Sequence, residues 1–316
     1  MPAADPRPLG DRTVFPIGLG ALPLSVEGRP PRAQALRTLH TALQAGATLI
    51  DTADSYGLGP DEIGHNEELV AAGLAAAPSL AAGVLVASKG GHYRPGDGSW
   101  AIDARPEQLR RACESSLRAL GRDTIDLYQL HRPDPQVPYA ESVGALRDLR
   151  QEGKIRMVGV SNVDLEQLQQ ARAVVEVVSV QNRFSPADQS SREVLTYCTE
   201  HGIAFLPWAP LGGLATGGRL PDRLAEVFGL VALRHRVSVQ RVCLAWHLAT
   251  SPVVVPIPGT TRPESVTDNV GAAELRLEPA ELRLLDDAVH SAARTDGSAK
   301  DQGRHHDTDQ HAGAHP

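Results

Sequence analysis

The sequence lacks several features that define other classes of protein. It has only three cysteines, Cys113, Cys198 and Cys243, which are far apart and lie in helix-like patterns, so they indicate reduced thiols and no disulfide framework. No run of about 18 apolar residues occurs, which argues against a membrane span. The N-terminus, MPAADPRPLGDR, has no apolar segment of the kind found in signal peptides. We therefore expect a soluble, cytoplasmic protein.

An excess of basic charge is also absent. The formal net charge is -7 at pH 7, and the sequence pI is about 5.9. This balance argues against nucleic acid or an anionic membrane as the main partner. With 41% hydrophobic and 22% charged residues, the composition is that of a globular protein with a sizeable core.

Eight short apolar or β-branched segments recur along the chain and predict strands. They cover residues 16–20, 48–51, 84–88, 125–130, 156–160, 177–181, 203–207 and 253–257. Amphipathic segments lie between them; one opens at Pro106 and is followed by Gly121, and another has Asp164 as its N-cap. A repeat of about 34 residues fits one β/α unit, so we predict the α/β class and a single eight-stranded parallel barrel. The alternative, an open doubly wound sheet, is weakened because no G-x-G-x-x-G follows the first strand.

The barrel is expected to occupy residues 1–294, with a short N-terminal hairpin around residues 12–15 plugging its floor. Residues 295–316 are rich in Gly, Asp, Gln and His and have almost no large apolar residue, which predicts a disordered tail. Its histidines are His305, His306, His311 and His315. Weak metal binding is one interpretation of them, but the composition favours solvated low complexity, and no metal site is predicted.

Polar side chains stand at the carboxyl ends of three predicted strands. IDTADSYG gives Asp51 and Tyr56, ASKGG gives Lys89, and LYQLHRPDP gives His131. Active sites of β/α barrels lie at this end of the strands. Taken singly, the aspartate suits a helix cap, the tyrosine loop packing and the histidine a structural hydrogen bond. Lys89 differs because the chain prefers arginine and has only two other lysines, which favours a need for a compact, tunable charge.

As a set, the four residues suit the reduction of a carbonyl group. A tyrosine beside an ammonium group has its phenolate stabilised, so Lys89 is expected to lower the pKa of Tyr56 from about 10 towards neutrality. Tyr56 would then deliver a proton to a carbonyl oxygen. Asp51 would hold Lys89 protonated, and His131 would orient and polarise the carbonyl. Such a reaction also needs a hydride source.

Several segments follow one another in an order that resembles the aldo-keto reductase family: DTADSYG, SKGG, LHRPDP, GVSN, QNRFS, PWAPLGG and IPGTTRPESVTDN. The resemblance extends from Gly18 to Ala273 and includes the branch that contains potassium-channel β subunits. It implies a barrel that binds NADP(H) without a Rossmann fold and reduces an aldehyde or ketone. It also implies a catalytic tetrad formed by Asp51, Tyr56, Lys89 and His131.

The resemblance further implies which residues bind the cofactor. Ser161, Asn162 and Gln181 would hydrogen-bond the nicotinamide carboxamide, and Trp208 would stack on the nicotinamide ring. The pyrophosphate and adenosine parts would be held by Pro210, Leu211, Gly212, Gly259, Thr260, Thr261, Arg262, Ser265, Asp268 and Asn269. Ala209 stands where relatives often have serine, and Ser265 where many supply an arginine to the 2′-phosphate. Arg262 is then the nearby cation for an NADP preference.

Loops at the barrel mouth would recognise the substrate. Leu22, Tyr93 and Trp100, with His92 beside them, predict a partly aromatic mouth for a small aldehyde or ketone, such as nitrobenzaldehyde or a methylglyoxal analogue. Two other functions stay open: an NADP(H)-binding sensor or regulatory subunit, and Schiff-base chemistry at Lys89. The complete tetrad favours a reductase, and the sequence leaves the oligomeric state open.

Overall fold

The computed structural model describes residues 5–213 and 219–304, and for residues 293–304 it describes the backbone alone. The strands are β1 Arg7–Leu9, β2 Arg12–Val14, β3 Leu19–Gly20, β4 Leu49–Asp51, β5 Leu85–Gly90, β6 His92–Tyr93, β7 Ala101–Ile102, β8 Ile125–Leu130, β9 Ile155–Ser161, β10 Val177–Gln181 and β11 Ala204–Phe205. The helices are α1 Arg32–Gln44, α2 His65–Ala75, α3 Pro78–Ala81, α4 Pro106–Leu120, α5 Tyr139–Gln151, α6 Leu165–Val174, α7 Arg192–His201, α8 Asp222–His235, α9 Val239–Thr250, α10 Pro263–Val270 and α11 Pro279–Arg304.

One parallel sheet carries the strands β11-β10-β9-β8-β5-β4-β3, in that order. Neighbours in the chain are therefore neighbours in the sheet, apart from the small antiparallel β6–β7 hairpin inserted between β5 and β8. Each connection between successive sheet strands contains at least one helix, as a parallel crossover requires. This is the succession of β/α units that the sequence predicts.

Residues 253–259 close the barrel between β11 and β3. The Phe205 N–H donates to Val253 O at 2.8 Å on one side, and the Gly20 N–H donates to Pro258 O at 3.2 Å on the other. Pro258 and the proline two residues before it have no N–H to donate, so this segment pairs through isolated contacts instead of a regular ladder. The predicted eight-stranded barrel is confirmed, with an irregular eighth strand.

The hairpin of β1 and β2 covers the barrel floor. Leu9 and Val14 belong to the same buried cluster as Leu127 of β8 and Met157 of β9. Gly10, in the hairpin turn, has φ +59°, and a Cβ at this position would meet Met157 Sδ at 2.6 Å. The turn therefore requires glycine both for its backbone conformation and for space. The predicted N-terminal plug is confirmed.

The helix ends that the sequence predicts are also found. Pro106 opens α4, and Gly121 at its carboxyl end has φ 62°, the left-handed conformation that glycine adopts without strain. Asp164 caps α6 and forms a reciprocal capping box with Gln167. These local signals fix where the helices start and stop, and hence where the strand ends lie.

Side chains of β5 alternate between the barrel interior and the helix layer. Ala87 lies in the interior cluster with Leu127, whereas Val86 lies in the outer cluster that packs on the helices. Because successive side chains of a strand point to opposite faces, Lys89 follows Ala87 into the barrel and Ser88 faces the helices. The segment ASKGG thus brings one lysine into the interior at the carboxyl end of the barrel.

The last helix differs from the sequence-based expectation at its end. The sequence predicts a tail from Thr295 onwards, whereas the backbone of α11 continues to Arg304; once a helix has formed, its extension by further residues is easier than its nucleation. Residues 305–316, which include the four histidines of the expected tail, lie outside the described residues. Within 5–213 and 219–304, the helices are all too short or too polar to traverse a bilayer.

Candidate active site

Lys89 lies at the centre of a buried polar cluster. Its Nζ donates to Asp51 Oδ2 at 2.7 Å, to Thr52 O at 2.8 Å and to Tyr56 Oη at 3.0 Å. Its side chain is 0% exposed. An ammonium group has three protons, so all three have acceptors within the protein. Three of the four residues predicted to be catalytic thus meet at hydrogen-bond distance.

These side chains meet because β4 and β5 are adjacent parallel strands. Asp51 is the last residue of β4 and pairs in register with Ala87, two residues before Lys89. Tyr56 follows in a tight loop, in which its N–H donates to Ala53 O at 3.3 Å. The carboxyl ends of the two strands therefore bring an acid, an ammonium and a phenol to one mouth of the barrel.

His131 stands beside Tyr56, immediately after β8. Its N–H donates to Gly90 O at 2.9 Å, which prolongs the pairing of β8 with β5. The centroid of its ring lies 5.8 Å from that of Tyr56, at an interplanar angle of 73°. Its Nδ1 is buried and has no hydrogen-bond partner within the described part of the chain. All four predicted catalytic residues are therefore neighbours.

The pKa of Tyr56 departs from the sequence-based expectation. Burial raises this pKa, Lys89 lowers it and Asp51 raises it again, and the net direction is upwards. The expectation that Lys89 draws the pKa of Tyr56 towards neutrality is therefore wrong. The physical reason is that burial penalises the phenolate, while Asp51 offsets much of the ammonium charge. Tyr56 is a neutral phenol at neutral pH, which is the form that a proton donor needs.

The surroundings of Lys89 favour its charged form, whereas those of His131 favour its neutral form. Burial lowers the pKa of Lys89, but Asp51 and Tyr56 outweigh burial and the net direction is upwards. Burial lowers the pKa of His131 well below its ordinary value, and His92 and Lys89 act in the same direction. The cluster thus combines a charged lysine with a neutral imidazole.

Gln181 connects the tetrad to the neighbouring strand ends. Its Nε2 donates to Asp51 Oδ1 at 2.7 Å, and its backbone oxygen accepts from Ser161 Oγ at 2.6 Å. Asn162 Nδ2 donates to His131 O at 2.9 Å. Asn162 has φ 58°, a conformation that asparagine tolerates better than most residues. The three residues predicted to hold a carboxamide thus lie within the hydrogen-bond network of the tetrad.

Trp208 joins this network through its indole N–H. The Nε1 atom donates to Asn162 Oδ1 at 3.2 Å, and the guanidinium carbon of Arg183 lies 5.6 Å from the centroid of the indole ring. The side chain is only partly buried. Its orientation is fixed while part of it stays accessible, as a stacking platform requires.

The chain turns sharply after Trp208. Ala209 has φ 49° and Gly212 has φ 95°, and Pro210 O lies 3.0 Å from Nε2 of the buried His247. Leu211 is half-buried. Pro210, Leu211 and Gly212, the residues predicted to approach a pyrophosphate, are therefore held in an irregular loop, and residues 214–218 that follow lie outside the description.

Arg262 and two residues of α10, Ser265 and Asp268, are predicted to bind the adenosine end of a cofactor. Arg262 precedes the helix, is exposed, and its side chain forms no hydrogen bond or ion pair with any described residue. Ser265 is half-buried in the first turn. Asp268 instead faces α9: its Oδ1 lies 3.2 Å from Arg241 Nε, and Ser238 Oγ donates to its carboxylate. An unpaired cation at a helix N-terminus fits a phosphate group.

The remaining predicted cofactor residues surround the start of α10. A Cβ on Gly259 would meet Pro23 Cδ at 2.8 Å, so only glycine fits there. Thr260 Oγ1 accepts from the Arg262 N–H at 3.1 Å. Thr261 O accepts hydrogen bonds from α1, and Asn269 is 6% exposed. These residues shape the turn and present few free polar atoms.

The β6–β7 hairpin and its connecting loop form a wall beside the tetrad. The ring centroid of Trp100 lies 6.3 Å from that of Tyr56 and 5.9 Å from that of His92. Arg94 covers Trp100, with its guanidinium carbon 4.5 Å from the centroid, and is itself ion-paired with Glu27. The wall is therefore aromatic on the side of Tyr56 and held by an ion pair behind it.

The three residues predicted for substrate binding have different positions. Trp100 is next to Tyr56 and is 42% exposed. Tyr93 is 45% exposed, but it is adjacent to His92 on β6 and so points to the opposite face of the hairpin. Leu22 is half-buried in a 3-10 turn, Leu22–Leu24, after β3. Trp100 and His92 therefore lie closest to the tetrad.

Sequence reasoning missed a support behind the site. Thr52 Oγ1 donates to Asn66 Oδ1 at 2.6 Å, and Asn66 Nδ2 donates to Ala21 O at 2.9 Å. Asn66 of α2 thereby fixes Thr52, whose carbonyl oxygen binds Lys89. No local pattern marks Asn66, because its role arises only when α2 docks against the strand ends.

A buried carboxyl group behind β5 was also missed. Glu67 of α2 is 0% exposed, and its Oε1 accepts from Ser88 Oγ at 2.5 Å. Burial raises the pKa of Glu67 to about 7. The alternation of β5, which directs Ser88 towards the helices, is the signal that points to a polar partner on α2.

The arrangement places a neutral phenol next to a buried ammonium and beside a neutral imidazole, at the mouth of a β/α barrel. The profile of the Aldo/keto reductase family matches residues 16–290 of the chain. The chain therefore belongs to the aldo/keto reductase family.

Individual relatives agree with this assignment. An oxidoreductase of Schizosaccharomyces pombe is 35% identical over 285 residues, which are 88% of each chain. The glycerol dehydrogenase AKR11B4 from Gluconobacter oxydans superposes with a TM-score of 0.78 at 28% identity, covering 92% of this chain and 96% of that one. An aldo-keto reductase from Klebsiella pneumoniae in complex with NADPH gives a TM-score of 0.74 at 29% identity, covering 90% and 94%.

Proposed function

We propose that this chain reduces an aldehyde or ketone to an alcohol with NADPH as hydride source and Tyr56 as proton donor. The observation that carries the proposal is the Tyr56 hydroxyl 3.0 Å from Lys89 Nζ, which lies 2.7 Å from Asp51 Oδ2. Reduction builds negative charge on the carbonyl oxygen. A phenol backed by a buried cation is suited to neutralise that charge by proton transfer.

Each residue of the tetrad has a separate role in the proposed reaction. Bound NADPH supplies the hydride. Tyr56 gives its proton to the carbonyl oxygen, and Lys89 stabilises the phenolate that remains. Asp51 holds Lys89 in position and keeps it charged. His131, as a neutral imidazole, orients the carbonyl next to the Tyr56 hydroxyl.

The proposed cofactor site follows from the strand ends around the tetrad. Ser161, Asn162 and Gln181 would hold the carboxamide, and the indole of Trp208 would stack on the nicotinamide ring. Arg262 contributes the cation for the 2′-phosphate at the start of α10. The NADPH complex of the Klebsiella pneumoniae relative supports this cofactor. A serine at position 265 gives the phosphate a weaker partner than an arginine.

The proposed substrates are small aldehydes and ketones with an apolar or aromatic group. Trp100 provides a flat aromatic face near Tyr56, and such a face packs well on planar groups. Nitrobenzaldehyde and methylglyoxal analogues represent the two ends of this class.

A panel of such carbonyls tests the proposal. The purified protein is mixed with NADPH and each compound, and both cofactor oxidation and alcohol formation are followed. We expect equimolar loss of NADPH and appearance of alcohol for at least the aromatic aldehydes. Tight NADPH binding with no oxidation across the panel favours the alternative, a redox sensor or regulatory subunit. An adduct on Lys89 trapped by borohydride favours Schiff-base chemistry.

A further inference from the structure

Within the described part of the chain, the ring of His131 has no hydrogen bond that would fix its orientation. A functional histidine is ordinarily oriented by a hydrogen bond from its second ring nitrogen to a carbonyl or carboxylate. His131 Nδ1 is buried and has no partner among the described residues. Some other contact must therefore fix the plane of this ring.

His92 supplies that contact. Its ring lies almost parallel to the His131 ring, with centroids 4.1 Å apart and an interplanar angle of 29°. Tyr56 meets the same ring edge-on at 5.8 Å. His131 is thus held between a stacked face and a tyrosine edge.

His92 is itself held in place within the wall formed by the β6–β7 hairpin and its connecting loop. It pairs with Ile102 in the β6–β7 hairpin, and Trp100 lies against it at 5.9 Å. Arg94, which is 3% exposed, covers Trp100 and is tied to Glu27. The stack therefore belongs to a supported structure.

The charges around His131 disfavour its protonated form. Lys89 and Arg132, both cations, lower the pKa of His131 together with burial and His92. Tyr56, which lies beside the His131 ring, is a neutral phenol. Asp51 is already engaged with Lys89 and Gln181. Burial lowers the pKa of His92 to about 4, so the stack consists of two neutral rings across the physiological range.

We propose that His92 is a positioning residue, whose stacked ring covers His131, keeps water from it and fixes its plane at the carbonyl. This inference rests on the proposed function, in which His131 orients the substrate. It assigns to the hairpin a role in the reduction itself, beyond lining the mouth.

The test compares His92→Phe with His92→Ala. Phenylalanine keeps a flat ring over His131, whereas alanine admits water to it. The control is Ser99→Ala, an exposed residue in the loop of the same hairpin. The first readout is an NMR titration of isotope-labelled imidazoles, with the His131 signal assigned by its loss in His131→Gln.

We expect the titration midpoint of His131 to rise by about one pH unit in His92→Ala, because hydration favours the imidazolium. Both His92 variants remove the ring charge that lowers the His131 pKa, but only phenylalanine still covers the ring, so the midpoint in His92→Phe should lie well below that in His92→Ala. Ser99→Ala should keep the wild-type value. Equal midpoints in His92→Ala and His92→Phe overturn the proposal. This readout needs no turnover, so it decides the inference even if the proposed reductase activity fails.

The second readout is the pH profile of carbonyl reduction. In His92→Ala the acid limb of kcat should move upwards with the His131 midpoint, and kcat should fall about tenfold as the imidazole loses its orientation. His92→Phe should retain the wild-type kcat, because its ring still fixes the plane of His131. A raised KM with unchanged kcat in both variants overturns the proposal, since it assigns His92 to substrate binding instead.

Discussion

Gln181 Nε2 donates to Asp51 Oδ1 at 2.7 Å, while the other oxygen of the same carboxylate accepts from Lys89 Nζ at 2.7 Å. Asp51 is therefore held between an amide on β10 and an ammonium on β5, across the interior of the barrel. The two contacts fix the carboxylate, which in turn fixes the lysine beside Tyr56.

We predict that Gln181→Met destabilises the protein by about 1–3 kcal/mol, because one oxygen of a buried carboxylate loses its donor. The free energy of unfolding in urea measures the effect. The matched control is Gln170→Met, since Gln170 is exposed and donates only to Glu166 on the surface of α6. Equal stability of the two variants contradicts the prediction.

Removal of the ammonium group should abolish most turnover. We expect Lys89→Met to lower kcat by a factor on the order of 10² to 10⁴, the usual worth of a positioned proton donor. Two losses act together: Tyr56 loses the cation that stabilises its phenolate, and Asp51 becomes an unpaired buried charge. Steady-state kinetics with an aromatic aldehyde measures the change.

The control for this variant is Lys154→Met. Lys154 lies on the surface, where it pairs with Glu114 and Glu152, so its loss should leave kcat unchanged. A similar loss of kcat in both lysine variants indicates a general effect on folding and contradicts the role of Lys89.

Glu67 should make stability depend on pH. Its pKa is about 7 in the folded chain against 4.5 as the ordinary value, so the folded state binds the proton more tightly. The contribution is fully present below pH 4.5 and is lost as the pH rises through 7. From the pKa difference the loss is roughly 3 kcal/mol.

Glu67→Gln should remove this dependence, since an amide oxygen still accepts from Ser88 and nothing titrates. We expect the variant to gain stability relative to wild type between pH 5 and pH 8, as measured by urea unfolding at both values. Glu68→Gln, a change at the exposed neighbouring residue, is the control and should track wild type. If the difference in free energy of unfolding between Glu67→Gln and wild type is the same at pH 5 and pH 8, Glu67 does not titrate in this range.

A substitution at the proposed site of the 2′-phosphate should raise the affinity for NADPH. Ser265→Arg places a guanidinium in the first turn of α10, near Arg262, and should tighten NADPH binding about tenfold by a charge-assisted pair. NADH, which lacks the 2′-phosphate, should bind as before. Thr267→Arg adds the same charge at an exposed position of the same helix and serves as control. The prediction is contradicted if Ser265→Arg tightens NADH binding as much as NADPH binding, or if Thr267→Arg tightens NADPH binding equally. Either result means that the 2′-phosphate does not bind beside residue 265.

Most of the architecture follows from local sequence patterns. The alternation of β5 sends Lys89 inwards, and the caps at Pro106, Gly121 and Asp164 set the helix ends. The irregular eighth strand is harder to foresee, because the prolines at positions 256 and 258 remove donors from a segment that otherwise has a strand-like sequence.

The chemistry of the site is harder to predict from the sequence than the architecture is. Whether the Tyr56 pKa is raised or lowered depends on whether the effects of burial and Asp51 outweigh the effect of Lys89. The sizes of these effects depend on interatomic distances, which the sequence does not give. The stack of His92 on His131 depends on how a two-residue strand folds back over β8. Likewise, Asp268 pairs with Arg241 because of the way α9 packs on α10, a relation between residues distant in the chain.

The most direct measurement is the turnover of Tyr56→Phe beside its NADPH affinity. The variant keeps the aromatic ring and loses only the hydroxyl that lies 3.0 Å from Lys89, and Tyr139→Phe on α5 makes the same change away from the site. We predict that Tyr56→Phe loses a factor on the order of 10² to 10⁴ in kcat with unchanged NADPH binding, whereas Tyr139→Phe behaves as wild type. Near-normal turnover by Tyr56→Phe contradicts the account.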